Sequence, residues 1–342
     1  MFGRSHGKPV LSLALQGGGA HGAFTWGVLD ALLEAGHYRI EGISGTSAGA
    51  MNAMAVAQGL TMGGPDYARE MLAAFWQRVA DSLPKEMTQP LGTDLNAPVG
   101  MQMVFHLTRW FSPYQLNPLD YNPLRKIIES LFDFEIIRRA QIKLFVAATN
   151  ANTGHLKLFQ NAELSADALL ASACLPSLQQ AVMIDGEAYW DGGYAANPAV
   201  FPLFKFCESD DILLVLLAPL VYGETPRTAS DIQRRAMMLG FNSAFLREMR
   251  LFALLQEMAQ DAGLIHGQLE RQLRSMRFHA IQTHPALAEL DPNTQATTHG
   301  PFLTWLRDEG RSAAHAWLQA HGHEVGRRST LDLKDLFLKE WP

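Results

Sequence analysis

Two short stretches of this sequence carry residues of the types and spacing that catalysis needs. Residues 45–49 read GTSAG, a G-x-S-x-G pattern with Ser47 at its centre. Residues 17–22 read GGGAHG, which fits the pattern G-x-G-x-x-G. A serine held on a sharp turn between a strand and a helix is a common nucleophile in ester hydrolysis. A run of backbone N–H groups can bind an anion, so both stretches are candidates for an active site.

The glycine loop fits two kinds of anion, a dinucleotide pyrophosphate or the oxyanion of an ester under attack. The first needs an acidic residue about 20 positions further on, after the second strand. Glu41 falls inside that strand, and residues 45–47 occupy its end. A Walker A loop is excluded because no Gly-Lys-Ser/Thr follows. The sequence therefore favours an oxyanion hole in which Gly18 and Gly19 donate N–H groups, each worth about 2.7–4 kcal/mol in catalysis.

The serine needs a base, and none of the twelve histidines lies in a sequence motif that indicates catalysis. His155 follows a turn and His279 lies in a predicted strand, positions typical of surface or structural residues. A Ser-His-Asp hydrolase also places several strands before its nucleophile, whereas one predicted strand and one helix come before the strand that leads to Ser47. Asp191, in the stretch YWDGGYAANP, closes a predicted hairpin. Asp-Gly-Gly alone is typical of a turn, but together with the upstream serine it favours a carboxylate base.

The elements around these motifs alternate in the manner of a parallel α/β sheet. Apolar runs bounded by turn signals predict strands or hairpins at 9–15, 39–45, 142–149, 181–190, 211–218 and 277–283. Helical spacing predicts helices at 22–36 and 48–59. Because open α/β sheets form their sites at the carboxyl ends of adjacent strands, we expect the glycine loop and Ser47 to meet there. We predict an α/β fold with a mostly parallel central sheet flanked by helices.

Two later segments are less regular. Residues 83–123 hold six prolines and little periodicity, a pattern shared by lids, binding loops and plain surface insertions. From residue 230 to about 263, apolar residues recur at helical spacing and predict a long helix. The simpler interpretation of this segment is a packed helix with a solvated charged face. The alternative is a helix that lies near anionic lipid with a basic face made of Arg234, Arg235, Arg247 and Arg250.

The composition excludes several classes of protein. With 342 residues, 48% hydrophobic and 18% charged, the chain has a globular composition, and its net charge of −6 argues against general nucleic-acid binding. Two cysteines are too few for a disulfide scaffold or a cysteine zinc site. The run VLSLAL leads into the glycine loop and not into a signal-peptide cleavage site, and no apolar run reaches membrane-spanning length. We therefore expect a cytoplasmic protein, with peripheral membrane contact and oligomeric state left open.

In their order and spacing, GGGAHG, GTSAG and DGG resemble the motifs of the patatin-like phospholipases. The connecting stretches VAATNANTGHLKLF and ASACLPSLQQAVMIDGEAYWDGG are similar to the family as well, so the resemblance extends over roughly residues 9–220. It implies the patatin-like three-layer fold and a Ser-Asp dyad, with Ser47 as nucleophile and Asp191 as base. It implies no metal and no organic cofactor. The oxyanion loop implied by the resemblance is Gly17, Gly18 and Gly19.

The same resemblance implies a domain division and an activity. Residues 1–229 would form the catalytic domain, and residues 230–342 would be the mostly helical C-terminal extension of some bacterial members, packed on that domain. The implied activity is cleavage of lipid carboxylic esters through an acyl-enzyme. Transfer of the acyl group to an alcohol or thiol carrier is the alternative, although Thr46 stands where malonyl transferases have histidine. A non-catalytic lipid-binding or storage protein is less favoured because the three motifs are intact.

One position departs from the family pattern. The family has Arg or Lys between the glycines, where this chain has His21. This residue is expected to orient the loop or to attract an anionic head group. An unperturbed histidine titrates near pH 6.5. From the sequence alone, His21→Arg is therefore expected to preserve activity and to weaken its pH dependence near that value.

Overall fold

A computed structural model describes most of the chain, namely residues 7–82, 107–108, 110–223, 225–261, 267–284, 290 and 292–339. Its strands are β1 Val10–Leu15, β2 Arg39–Thr46, β3 Lys143–Asn150, β4 Leu156–Gln160, β5 Val182–Ile184, β6 Glu187–Asp191, β7 Asp211–Leu216 and β8 Arg277–Gln282. Its helices are α1 Gly22–Ala35, α2 Ala48–Met62, α3 Gly64–Ala80, α4 Pro113–Leu116, α5 Pro123–Leu131, α6 Phe134–Arg138, α7 Ala166–Ser172, α8 Phe201–Phe206, α9 Ala229–Asp261, α10 Gln268–Ser275, α11 Gly300–His321 and α12 Leu333–Phe337.

All eight strands belong to one mixed sheet, in the order β5-β6-β3-β2-β1-β7-β8, with β4 also paired to β3. Five consecutive strands of this order run parallel to one another, namely β3, β2, β1, β7 and β8. Strands β4, β5 and β6 pair antiparallel. The predicted α/β fold with a mostly parallel sheet is therefore confirmed, and so are the six predicted strand and hairpin regions.

The sheet is covered on both faces, as the alternation along its strands requires. On β1, Leu11, Leu13 and Leu15 pack in the hydrophobic core that α1, α2, α3 and α11 complete. Ala14, on the other face, belongs to a second core that contains residues of α8, α9 and α12. Both faces of a mostly parallel sheet are apolar for this reason. The layers are helix, sheet and helix.

The segment after residue 229 adds to the same sheet and to both helical layers. Strand β8 pairs with β7 along its whole length, and α9 buries Phe245, Met249 and Phe252 in the second core. On the other face, α11 approaches α1 so closely that a Cβ on Gly27 would overlap the backbone of Arg307. The packing of the extension agrees with the expectation, while the division into domains at residue 229 stays a prediction.

The structure covers only part of the irregular segment at residues 83–123. For residues 83–123 the sequence left a lid, a binding loop and a surface insertion open; residues 83–106 and 109 lie outside the described part, and the remainder includes α4. Within the residues that the structure describes, no helix combines the length and apolar character needed to span a membrane.

Candidate active site

Ser47 sits on a sharp turn between β2 and α2. Its backbone has φ 54° and ψ −122°, a strained conformation for a residue with a side chain. The turn is tight because α2 starts against β1, so closely that a Cβ on Gly49 would overlap the carbonyl of Leu15. The Ser47 carbonyl accepts the N–H groups of Ala50 and Met51, so the candidate nucleophile lies at the positive end of the α2 dipole.

Two hydrogen bonds hold this turn in place. The Ser47 N–H donates to Oγ of Ser172 at 2.9 Å, and Ser172 is fully buried in α7. The preceding Thr46 donates its hydroxyl to the Ala196 carbonyl at 2.8 Å. Since a buried hydrogen bond is costly to leave unmade, these contacts help the backbone retain its strained geometry.

The register of β3 brings Asp191 to the serine. Ala147 of β3 pairs with Thr46, and Ala148 pairs with Asp191 at the end of β6. Strand β4 occupies the opposite edge of β3 along this stretch, so β2 and β6 follow each other on the same edge. The residue after Thr46 and the last residue of β6 therefore meet.

The Asp191 carboxylate is buried but only partly satisfied. It is 2% exposed, and its Oδ1 accepts the Gly193 N–H at 2.7 Å. Burial raises its pKa to about 7, against the opposing effect of Gly193 and of the Ser47 hydroxyl, which donates to it. A carboxylate with a pKa near neutral pH is a much stronger base than an ordinary aspartate, which suits proton transfer from a serine.

The main chain of Asp191 is anchored on both sides. Its N–H donates to the Cys174 carbonyl at 2.7 Å, and its carbonyl accepts the Thr149 hydroxyl at 2.8 Å. The carboxylate is therefore presented by a fixed strand end and not by a free turn.

Among the three glycines of the loop, Gly17 is already engaged. Its N–H donates to Oδ1 of Asn197 at 2.7 Å, and its carbonyl lies 3.5 Å from Nδ2 of the same side chain. In the described part of the chain, the N–H groups of Gly18 and Gly19 have no such acceptor. The geometry thus favours Gly18 and Gly19 as donors to an incoming oxyanion and gives Gly17 a supporting role.

The His21 side chain is buried beside the glycine loop, and its imidazole is uncharged at neutral pH. It is 9% exposed, its Nε2 lies 2.7 Å from Oγ1 of Thr294, and its ring meets Phe302 edge-on at 6.3 Å. Burial lowers its pKa to about 4, so the imidazole is neutral at pH 7. The expectation of a titration near pH 6.5 was wrong, because it assumed a solvated ring.

A buried amide begins the loop. Gln16 accepts the N–H groups of Leu217 and Ala218 on its Oε1, at 2.6 and 2.8 Å. Its Nε2 donates to Oδ1 of Asn242 at 2.9 Å and contacts the Asn197 carbonyl at 3.3 Å. This side chain ties the last residue before the glycines to β7 and to helix α9.

These groups open onto a cavity of about 490 Å³. Ser47, Asp191, the three glycines and His21 all line it. Most of the remaining lining is apolar, including Met51, Phe75, Trp76, Leu124, Ile127, Leu217, Met237, Met238 and Phe241. The structure therefore brings together every residue that the sequence nominated for the site.

The two histidines considered as alternative bases lie elsewhere. His279 is fully buried in β8, where its Nε2 pairs with Asp211 and its Nδ1 with Thr330, both at 3.0 Å. His155 lies in an exposed turn before β4. Neither lines the cavity, which leaves Asp191 as the base candidate.

Several supporting residues escaped the sequence analysis. Asn197 is the easiest to find in retrospect, since it lies in the same DGGYAANP stretch as Asp191. Gln16 is a polar residue at the end of a buried strand, which is also a detectable signal. Ser172 lies in the family-like stretch ASACLPSLQQAVMIDGEAYWDGG, but nothing in that stretch singles it out. Asn242 and Thr294 stand in segments without a local motif, and only the fold places them beside the loop.

Comparison with known proteins gives one clear match. The family model described as patatin-like phospholipase matches residues 13–204. No curated protein is significantly similar to the chain. Among solved structures, VipD from Legionella pneumophila is 16% identical, with a TM-score of 0.38, over 87% of this chain and 67% of that one. ExoU of Pseudomonas aeruginosa, solved with SpcU, is 15% identical, with a TM-score of 0.28, over 93% of this chain and 78% of that one.

Proposed function

Because the chain belongs to the patatin-like phospholipase family, we propose that it is a serine acyl hydrolase that cleaves carboxylic esters of lipids, with Ser47 as nucleophile and Asp191 as base. One observation carries the proposal. The serine on a strained turn faces a buried carboxylate whose pKa is raised to about 7. Such a pair is costly to maintain, and strained turns and raised carboxyl pKa values are concentrated at catalytic sites.

The first half-reaction forms an acyl-enzyme. Asp191 takes the proton of the Ser47 hydroxyl while Oγ attacks the ester carbonyl carbon. The negative charge that develops on the carbonyl oxygen is received by the N–H groups of Gly18 and Gly19. As the C–O bond to the leaving alcohol breaks, the proton on Asp191 passes to the alcohol oxygen, and the acyl group remains on Ser47.

The second half-reaction releases the acid. Asp191, ionised again, takes a proton from water, and the resulting hydroxide attacks the acyl carbonyl through a second oxyanion at the glycine loop. The bond to Oγ breaks, and Oγ regains the proton from Asp191. The products are a carboxylic acid and the free serine.

The cavity supports a lipid acyl substrate. Its lining is mainly aliphatic and aromatic, and Ser47 and the glycine loop lie on the same cavity wall as these apolar side chains. An acyl chain buried there would contribute about 0.8 kcal/mol for each CH₂ removed from water. A chain of several carbons is therefore expected to bind much better than acetate.

Labelling with a fluorophosphonate probe tests the proposed nucleophile. The wild-type protein should be labelled, and Ser47→Ala should abolish labelling because the reacting oxygen is gone. Ser130→Ala, which removes an exposed serine on α5, is the matched control and should be labelled like the wild type. Labelling that persists in Ser47→Ala would reject the proposal.

The base and the reaction type need separate assays. Asp191→Asn should reduce kcat for a p-nitrophenyl ester by about 10²–10⁴-fold, the usual contribution of a general base. Asp185→Asn, in the exposed turn of the same hairpin, is the control and should leave kcat unchanged.

Assays on phospholipids with and without an added alcohol separate hydrolysis from acyl transfer. A hydrolase yields free fatty acid in both assays, whereas a transferase yields the new ester when the alcohol is present.

A further inference from the structure

Residues beyond the matched family region contact the glycine loop, or Gln16 before it, at several points, and three of these contacts carry the inference. We propose that this later part of the chain completes the oxyanion hole, with Thr294 and Asn242 as positioning residues that act through His21 and Gln16. The inference rests on the proposed function, since it assigns a role in orienting the donors of that same site. It concerns residues 205–342, which lie outside the region that the family model matches.

The first contact joins Thr294 to the end of the loop. Thr294 is fully buried, in a short 3₁₀ turn at Pro292–Ala296, and its hydroxyl lies 2.7 Å from Nε2 of His21. Because the neutral imidazole is itself buried, this hydrogen bond is costly to lose. The position of the His21 ring, and with it the His21 backbone, is therefore tied to Thr294.

The His21 backbone in turn sets the direction of one oxyanion donor. Its N–H donates to the Gly18 carbonyl at 3.1 Å. The Gly18 carbonyl and the Gly19 N–H belong to one trans peptide plane and point in opposite directions. Holding the carbonyl against His21 thus turns the Gly19 N–H away from it, as an oxyanion donor requires.

The second contact works through the other end of the loop. Asn242 of α9 is 5% exposed, and its Oδ1 accepts the Gln16 side chain at 2.9 Å. Its Nδ2 donates to the Tyr222 hydroxyl at 3.1 Å. Gln16 immediately precedes the glycines, so Asn242, together with the Leu217 and Ala218 N–H groups, holds the residue from which the loop departs.

The third contact is steric. The loop packs against the 3₁₀ turn at Gly19, where an added Cβ would overlap the Gln295 carbonyl. Gly19 also has a left-handed φ of 57°, a conformation that glycine adopts readily. The loop is therefore enclosed by the same turn that supplies Thr294.

The decisive variant is Thr294→Val, which keeps the shape of the side chain and removes its hydroxyl. We expect kcat to fall about 5- to 100-fold, from the cost of an unsatisfied buried group, while KM stays within about twofold because the cavity wall is unchanged. Thr294→Ser should restore activity. Thr297→Val is the matched control: this threonine is also buried, and its hydroxyl has no partner among the described residues.

A transition-state analogue distinguishes positioning from a general loss of structure. A trifluoromethyl ketone that forms an oxyanion on Ser47 should lose affinity for Thr294→Val by the same factor as kcat/KM. The thermal midpoint and KM should move little. In a His21→Ala background, Thr294→Val should have no further effect, because the route runs through the imidazole.

The outcomes separate this inference from the proposed function. If wild-type protein shows no Ser47-dependent labelling, the proposed function fails and this inference with it. If labelling depends on Ser47 but Thr294→Val matches wild type in kcat and analogue affinity, only the positioning role is overturned. Should Thr294→Val not fold, Asn242→Ala carries the same test through Gln16, and wild-type kinetics in that variant would refute the inference.

Discussion

The Asp191 carboxylate is buried, and in the proposed mechanism it acts as a base, a combination that ordinary solvent-exposed aspartates do not have. No cation is paired with it among the described residues; it has one backbone N–H and the Ser47 hydroxyl. The charged form is therefore disfavoured, and the carboxyl gains a proton affinity closer to that of histidine. A buried aspartate in this setting can do the work that a histidine does in a catalytic triad.

This environment predicts the pH profile of the reaction. The base must be ionised, so kcat/KM should rise with pH through about 7, where the pKa of Asp191 lies, and reach a plateau above it. An unperturbed aspartate would place the rise near pH 4. Initial rates on a soluble ester between pH 5 and 9 provide the measurement. A profile that is already flat at pH 5 would show that the carboxyl is not perturbed.

The same raised pKa predicts a stability cost. The pKa of Asp191 is higher in the folded state than in the unfolded chain, so the folded state binds the proton more tightly between about pH 4 and 7. Its contribution to stability is greatest at low pH and is lost as pH rises through 7. Asp191→Asn should therefore raise the free energy of unfolding at pH 8 by about 1–3 kcal/mol, and much less at pH 4. Urea titrations at the two pH values measure this difference, and an equal effect at both would contradict it.

Candidate site residues could be predicted from the sequence only where a motif surrounds them. Ser47 and Asp191 stand in glycine-rich turns whose spacing reveals them. His21 was recognisable as a departure from the family pattern, but its protonation depends on burial by Phe302 and by Thr294, which lies 273 positions away in the sequence. Such long-range contacts leave no trace in local sequence, which is why the expected titration near pH 6.5 was wrong.

Among the helices, α1 and α11 form an unusually close pair. A Cβ on Gly27 would overlap the Arg307 carbonyl, and a Cβ on Gly310 would overlap the Phe24 carbonyl. The two glycines thus lie in reciprocal contacts across one interface. Close approach of this kind replaces side-chain packing by backbone contact, and it attaches the later part of the chain to the helix that follows the glycine loop.

Glycine-to-alanine substitutions in α1 and in α9 should therefore change the free energy of unfolding in opposite directions. Gly27→Ala should lower the free energy of unfolding by about 1–3 kcal/mol, the usual cost of overpacking. Gly240→Ala, in α9 with open space around the new methyl group, should raise it by about 0.4–1 kcal/mol through helix propensity and chain entropy. Denaturant titration of both variants measures this contrast. A stabilising Gly27→Ala would show that α11 does not lie so close to α1.

The positions of strands and helices along the sequence were easier to predict than the strands that pair with one another in the sheet. The apolar runs of β1, β3 and β7 identified these strands, and the Asp-Gly turn identified the hairpin of β5 and β6. Strand β4 and helix α3 were not predicted. Strand β4 is short and partly exposed, whereas α3 does carry an apolar stripe at helical spacing, made of Ala68, Met71, Leu72, Phe75 and Trp76. The shared edge on which β2 and β6 follow each other could not be predicted, because strand register is decided by pairing across the sheet.

At the scale of the whole molecule, the segment after residue 229 contacts the sheet and both helical layers. That segment supplies a strand of the sheet, a helix against α1 and much of the second core. It also places Thr294 and Asn242 at the glycine loop. The division into a catalytic domain and an extension packed on it stays a prediction, and from these contacts we expect the two parts to unfold together.

A truncation after residue 229 tests this cooperativity. Without β8, the edge of β7 is unpaired and open to aggregation, and Ile212, Leu214 and Leu216 lose the apolar cover of α9 and β8. We therefore expect residues 1–229 to be insoluble or to unfold without a cooperative transition, as judged by sedimentation and thermal melting. Co-expression with residues 230–342 should restore a soluble complex that reacts with the fluorophosphonate. If residues 1–229 alone melt cooperatively and are labelled at the wild-type rate, the boundary at residue 229 divides true domains and the oxyanion loop needs no support from beyond it.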